Sequence, residues 1–199
     1  MGKVAQLYES TEPVTGKREA ILNAALQLFT EFGFHGTAMP QVAERAGVGA
    51  GTIYRYFTSK EALVNTLYRD WKEFQLAEIL RDVPPAMPMR EQFNVYWNRL
   101  VNFAMEFPVA FGFLELHFHA SYLDEQSREV EERGHNAMVG YFKNCLNQQI
   151  VKNMQAEFLG SLVIGAYVGM IKASRAGCFT LTKELINQAE TCCWDAIKR

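Results

Sequence analysis

Apolar positions recur every three or four residues through almost the whole chain, and no run alternates with the period of two that marks a strand. Ile21, Ala25, Leu28, Phe29 and Phe32 fall on one helical stripe, after a polar segment that ends at about residue 16. Gly33 closes that helix, because glycine accepts the left-handed conformation of a last turn. A short second helix from about Met39 to Ala46 turns Val42 and Ala43 inward. Pro40 suits its first turn, where N–H groups have no intrahelical partner. Gly47 makes the next break, and a third short helix runs from about Ala50 to Phe57. Thr58-Ser59-Lys60-Glu61 reads as a helix start with a hydroxyl at the cap. The fourth helix it opens reaches about Arg81, where the breaker-rich stretch DVPPAMP follows. Five more helices are expected at about 89–106, 108–119, 124–149, 154–177 and 182–198, punctuated by Pro108, Asp124, Gly177 and Thr182. The expected fold is all-α, with about nine helices.

Two short helices flanking a glycine turn have the layout of a helix-turn-helix, whose second helix lies in the major groove of DNA. On the third helix Ile53 and Phe57 are four apart and share the apolar side. Thr52, Arg55 and Tyr56 fall on the other sides, and Tyr54 lies at the margin, where core packing competes with an outward role. Hydroxyl groups donate to phosphate oxygens, and a guanidinium reaches phosphate or guanine. Lys60, at the start of the fourth helix, adds charge to a helix end that attracts phosphate. The small residues of VGAG let the backbone come close to another surface.

Composition changes this picture little. The net charge is −2, but residues 17–60 carry five basic and three acidic side chains, whereas the rest from residue 61 carries fourteen and seventeen. The basic part is the one with the helix-turn-helix layout. Cys145, Cys178, Cys192 and Cys193 have neither metal-ligand nor redox spacing, and the first residues lack the apolar core of a signal peptide. A cytoplasmic protein is expected. The apolar run at 158–171 stops at Lys172, short of a membrane span of about 20 residues, and reads as a buried helix. Glu115 and His119 are four apart, but two ligands do not make a metal site. His117 reads as a pocket or surface residue, DEQSREVEERGH at 124–135 as a solvated helix face, and the paired Cys192 and Cys193 as core. No nucleophile triad, phosphate loop or zinc spacing occurs, so neither enzyme activity, cofactor nor metal is expected.

The span from Ile21 to Lys60 resembles the N-terminal domain of the TetR family of transcriptional regulators. The matching blocks are FTEFGFHGT, VAERAGV and GTIYRYFTSKEAL. The resemblance implies a polar N-terminal tail at 1–16, a three-helix DNA-binding domain at 17–60, and a helical effector-binding and dimerisation domain at 61–199. It implies that Thr37 binds phosphate, that Ala50 and Gly51 lie nearest the bases, and that Thr52, Tyr54, Tyr56 and Lys60 anchor the DNA backbone. Arg55 is the candidate base reader, with Gln41 and DNA shape contributing to specificity. Ala38 stands where many members carry a second hydroxyl residue, which removes one phosphate contact.

In the C-terminal part, Gly160, Ser161, Gly165, Ala166 and Gly169 thin one helix for close approach by another. Leu185, Ile186, Ala189, Cys193 and Ile197 recur at helical spacing on the last helix. These residues serve either a core within one chain or a dimer contact. The resemblance favours a homodimer built on Gly160, Gly165, Gly169, Leu185, Ala189, Cys193 and Ile197. The middle helices are rich in aromatics, so Trp97, Phe111, Phe113, His117, Tyr122, Met138, Phe142, Tyr167 and Met170 are candidates for lining an effector pocket, with simple core packing as the competing role. The expectation is a repressor that binds a palindromic double-stranded operator and is released by a small, largely apolar or aromatic effector, without a membrane partner. The rival is a helical binding protein or enzyme with a vestigial helix-turn-helix.

Overall fold

The computed structural model describes residues 16–199, so nearly all of the expected polar tail lies outside the described residues. Among them are nine α-helices: α1 Lys17–Gly36, α2 Met39–Arg45, α3 Ala50–Tyr56, α4 Lys60–Leu80, α5 Met89–Glu106, α6 Pro108–His117, α7 Glu125–Asn147, α8 Ala156–Arg175 and α9 Lys183–Ile197. No named strand occurs among the described residues, only an isolated antiparallel bridge between Val151 and Lys198. The chain divides into two compact units, one ending at residue 77 and taking in 106–131, the other comprising 78–105 and 132–199.

In the first unit, α1 buries Ile21, Leu22, Ala25, Leu28 and Phe29 as its periodicity requires. Its helical dihedrals break at Gly33 (φ 68°, ψ 178°), a conformation that only glycine adopts cheaply. That break resets the phase of the side chains. Phe32, expected on the inward stripe, is half exposed, and Phe34 is buried instead. Gly47 (φ 65°) makes the turn between α2 and α3, and the Val48 N–H donates to the Ala43 carbonyl at 2.9 Å. Ile53 and Phe57 seat α3 on the core, and the Ser59 hydroxyl caps α4 by accepting from the Ala62 N–H at 3.1 Å. Behind them the core is aromatic. Phe113 of α6 lies 6.4 Å from both Phe29 and Tyr68, and Phe107 lies 5.6 Å from Trp71 and 5.3 Å from Phe74, ring centre to ring centre.

A polar knot ties α4 to the start of α7. Asn65, buried, donates from Nδ2 to the carbonyls of Glu61 and Tyr122, each at 2.9 Å, and its Oδ1 accepts from the Asp124 N–H and the Ser127 hydroxyl, each at 2.8 Å. Arg69 donates to both Asp124 oxygens, and against the upward push of partial burial the Ser127 N–H and then Arg69 hold the Asp124 carboxyl below its ordinary pKa. The 124–135 stretch is therefore not a uniformly solvated face: Ser127, Val130 and Glu131 are buried.

The second unit holds most of α5 and α7 and all of α8 and α9. Phe93, Trp97 and Val101 of α5 are buried, and Trp97 Nε1 donates to the Ile186 carbonyl at 3.2 Å. Tyr141 and Tyr167 donate their hydroxyls to the carbonyls of Met89 and Leu100. Arg90 grips the buried Glu190 carboxylate with both terminal nitrogens while its guanidinium lies over the rings of Trp194 and Phe93.

Candidate nucleic-acid interface

The third helix divides cleanly. Ile53 is fully buried, while Tyr54 and Tyr56 are 52% and 45% exposed and Arg55 is exposed between them. Core packing therefore does not explain the two tyrosines. Ala50 and Gly51 are exposed at the first turn and Thr52 is half-buried. A methyl group added at Gly51 would meet nothing within 4 Å, so the small residue leaves open space in front of the helix.

The residues flanking α3 are arranged differently. Thr37 is almost completely buried, and its hydroxyl donates toward the carbonyls of Gly33 at 2.8 Å and Leu28 at 3.1 Å. Lys60 Nζ donates to the carbonyls of Phe34 at 2.8 Å and Thr37 at 2.9 Å, and it sits 4.3 Å from the centre of the Phe34 ring. Both groups are committed to the junction between α1 and α2. Gln41 is exposed, and its Oε1 accepts the Ala38 N–H at 2.8 Å, capping α2. Ala38 has no hydroxyl to return that bond, so only half of a capping box exists.

The nine candidate pocket residues do not fall in one unit. Phe111, Phe113, His117 and Tyr122 belong to the first, and Trp97, Met138, Phe142, Tyr167 and Met170 to the second. Phe113 and His117 meet at 4.5 Å, ring centre to ring centre, and His117 Nδ1 lies 2.5 Å from the Tyr122 hydroxyl. His117 is fully buried, and burial pushes its pKa down to about 4, with the Phe29 carbonyl partly opposing this. In the neutral ring Nδ1 accepts the Tyr122 O–H, which puts the ring proton on Nε2. Two open depressions, of 610 Å³ along Lys183, Asn187 and Thr191 and of 450 Å³ along Met87, Arg90 and Asn94, include none of the nine.

Three polar residues near α4 were missed by the sequence reading. Tyr68 is fully buried beside the buried Glu131, and His119 Nδ1 lies 3.2 Å from Glu131 Oε1. Burial, and then the charge of Glu131, push the Tyr68 pKa up. Desolvation lowers that of Lys72 against the pull of Glu131 and Glu115. Helical spacing from Tyr68 to Lys72 on one face was the available signal. Among the described residues, no three His, Cys, Asp or Glu side chains gather in a metal-binding group.

The expected dimer residues also separate. Gly160 is buried, and a methyl group there would stand 2.6 Å from Met138 Sδ, so this glycine serves packing within the chain. Ile197 is buried beside the Val151 bridge. Gly165 and Gly169 are exposed with nothing within 4 Å of an added methyl, and Leu185, Ala189 and Cys193 are half-buried. The expectation that 158–171 is a buried helix is corrected: only a third of the most apolar stretch of α8 is buried, with Phe158 and Leu162 exposed. That helix is long and apolar enough to cross a membrane by length and composition. Cys192 is likewise exposed and Cys193 only half-buried, so the pair is not the core pair expected.

A family model for bacterial regulatory proteins of the tetR family matches residues 21–67, and one for the tetracyclin repressor-like C-terminal domain matches residues 71–199, more than half of the chain. The HTH-type transcriptional regulator RutR of Escherichia coli K12 is 40% identical over 92 residues, which make up 46% of this chain and only 40% of RutR. YhgD of Bacillus subtilis 168, an uncharacterized HTH-type transcriptional regulator, is 23% identical over 159 residues, 78% of this chain and 82% of its own. Among solved structures, a TetR family protein from Vibrio parahaemolyticus superposes with a TM-score of 0.74 at 28% identity, covering 92% of this chain and 100% of that one. A TetR family transcription regulator from Marinobacter aquaeolei VT8 shares the fold with a TM-score of 0.80 at 22% identity, over 92% and 95% of the two chains.

Proposed function

Because the chain belongs to the TetR family of bacterial transcriptional regulators, we propose that it is a repressor that binds a palindromic DNA operator as a homodimer and releases it when a small effector binds. The observation that carries this reading is the bare outer side of α3, where a guanidinium stands between two tyrosines while Ile53 holds the helix to the core. In this reading Arg55 reads a base edge, Thr52, Tyr54 and Tyr56 donate to phosphates, and Ala50 and Gly51 let the helix approach the groove. Gln41 contributes its amide N–H groups, since its oxygen caps α2. Thr37 and Lys60 contribute from behind, by fixing the start of α2.

A palindrome requires a two-fold protein with its reading helices about 34–36 Å apart, one turn of DNA. The exposed side of α8, with Phe158, Leu162, Gly165 and Gly169, is the surface offered to the second copy, and Leu185, Ala189 and Cys193 of α9 flank it. The domains divide at residue 60, with 61–199 binding effector and forming the dimer. The effector is small and largely apolar or aromatic, in keeping with the aromatic-rich middle helices. The effector acts through its unequal affinity for the DNA-binding and released states. The protein works in the cytoplasm, where DNA and effector meet.

Anisotropy measurements on a duplex from the region upstream of the chain's own gene test this. Affinity should rise as salt falls, and one palindrome should be preferred over unrelated duplex by about a thousandfold or more. Equal affinity for all duplexes at every salt concentration would remove the regulatory reading.

A further inference from the structure

We propose that Tyr122, in the link between α6 and α7, is a positioning residue for DNA recognition that acts through Phe34 on the junction from which the reading helices start. The inference rests on the DNA-binding reading above and adds to it a residue outside the helix-turn-helix.

Tyr122 is fixed at three points. Its carbonyl accepts Asn65 Nδ2 at 2.9 Å, its hydroxyl lies 2.5 Å from His117 Nδ1, and its ring stacks on Phe34 with centres 4.0 Å apart and planes 19° apart. The Phe34 ring also carries the Lys60 ammonium, 4.3 Å from its centre. A ring and a cation at such distances cannot share one face, so Phe34 is held between them. The same ammonium donates to the carbonyls of Phe34 and Thr37, and α2 begins two residues after Thr37. The path thus runs from buried His117, through Tyr122 and Phe34, to the Phe34 and Thr37 carbonyls, just ahead of the Ala38 carbonyl that accepts the first bonds of α2.

Closing the core does not require this arrangement. Leu123, the next residue, is buried and does that, whereas Tyr122 is only half-buried. The ring instead bears on Phe34, in the last turn of α1 beyond the break at Gly33 and just before the Thr37–Ala38 link to α2. A small displacement there swings α2 and α3 together, because Gly47 joins them by a tight turn. Contacts that orient a reading helix affect the match to one sequence more than the general attraction of charge to phosphate.

The test uses the full chain. Tyr122→Leu should lower affinity for the preferred duplex about tenfold while leaving affinity for unrelated duplex and the salt dependence unchanged, since no charge is touched. Tyr122→Phe keeps the ring and should retain preference within about threefold. In the wild-type protein, hydrogen exchange should slow on operator binding both at residues 34–41 and at 118–123. Unaltered preference in a folded Tyr122→Leu protein overturns the proposal, as does equal loss on both duplexes, and so does slowing confined to 34–41. If Tyr122→Leu fails to fold, the wild-type exchange measurement decides alone. A wild-type protein that prefers no duplex removes the parent reading, a result distinct from any of these.

Discussion

Helices α3 and α8 both leave large side chains bare, and to nearly the same extent: Tyr54 and Phe158 are each 52% exposed, Tyr56 and Leu162 45% and 46%. Exposure therefore does not distinguish them. Their tips do. On α3 each ring ends in a hydroxyl and Arg55 stands between them, so a partner rich in acceptors can satisfy the whole face. On α8 the bare residues are phenylalanine, leucine and glycine, which offer a partner only area and closeness. Nucleic acid suits the first and a second apolar helix the second. The comparison teaches that the chemistry of an uncovered surface, and not its size, assigns its partner.

The sharpest way to break this contrast is to place a charge on α8. Leu162→Glu should convert dimer to monomer in sedimentation and reduce operator affinity about a hundredfold or more, as two linked reading heads become one. Persistence of the dimer would move the interface elsewhere. Ile53→Ala attacks the seat of α3 and should cost about 2–5 kcal/mol in denaturant unfolding, because the residue is fully buried. Arg55→Ala should leave the fold intact and cost about 1–3 kcal/mol of discrimination at a single base pair, read from a panel of substituted duplexes. Loss spread evenly over all positions would take Arg55 out of base reading. Gly165→Ala sharpens the comparison by opposing signs: with open space around the site it should stabilise the isolated chain by about 1 kcal/mol, yet weaken dimerisation. Tyr54→Phe and Tyr56→Phe should each cost about 0.5–1.5 kcal/mol on every duplex alike.

Most of the fold was legible because glycine and proline mark its breaks. Gly47 and Pro108 stand where one helix gives way to the next, Gly33 breaks α1 three residues before its end rather than closing it, and the order of the nine described helices follows from them with the 3.6-residue period. The exchange of Phe32 for Phe34 was not legible, since a break within a helix resets the phase that the period assumes. The outward set on α3 could be read because a seven-residue helix with one inward position, Ile53, and a second, Phe57, just past its end leaves the rest outside. Lys60 could not, as its partner carbonyls lie 26 and 23 residues back along the chain, and Thr37 could not, as the break at Gly33 decides where its hydroxyl turns. The same holds for Asn65, whose four bonds reach up to 62 residues along the chain. On α8 apolarity on all sides looked like burial, because a single sequence does not distinguish a side facing its own core from one offered to another molecule.

The grip of Arg90 on Glu190, one hundred residues away and almost wholly shielded from solvent, has an evolutionary consequence. Losing the arginine alone strands a carboxylate among aromatic rings, while losing both and filling the space with aliphatic groups is nearly harmless. The two positions should therefore be inherited together. Descendants of this gene that carry a neutral residue at 90 are expected to have abandoned the acid at 190, and a lineage keeping the acid without its counterpart would need a new cation from elsewhere.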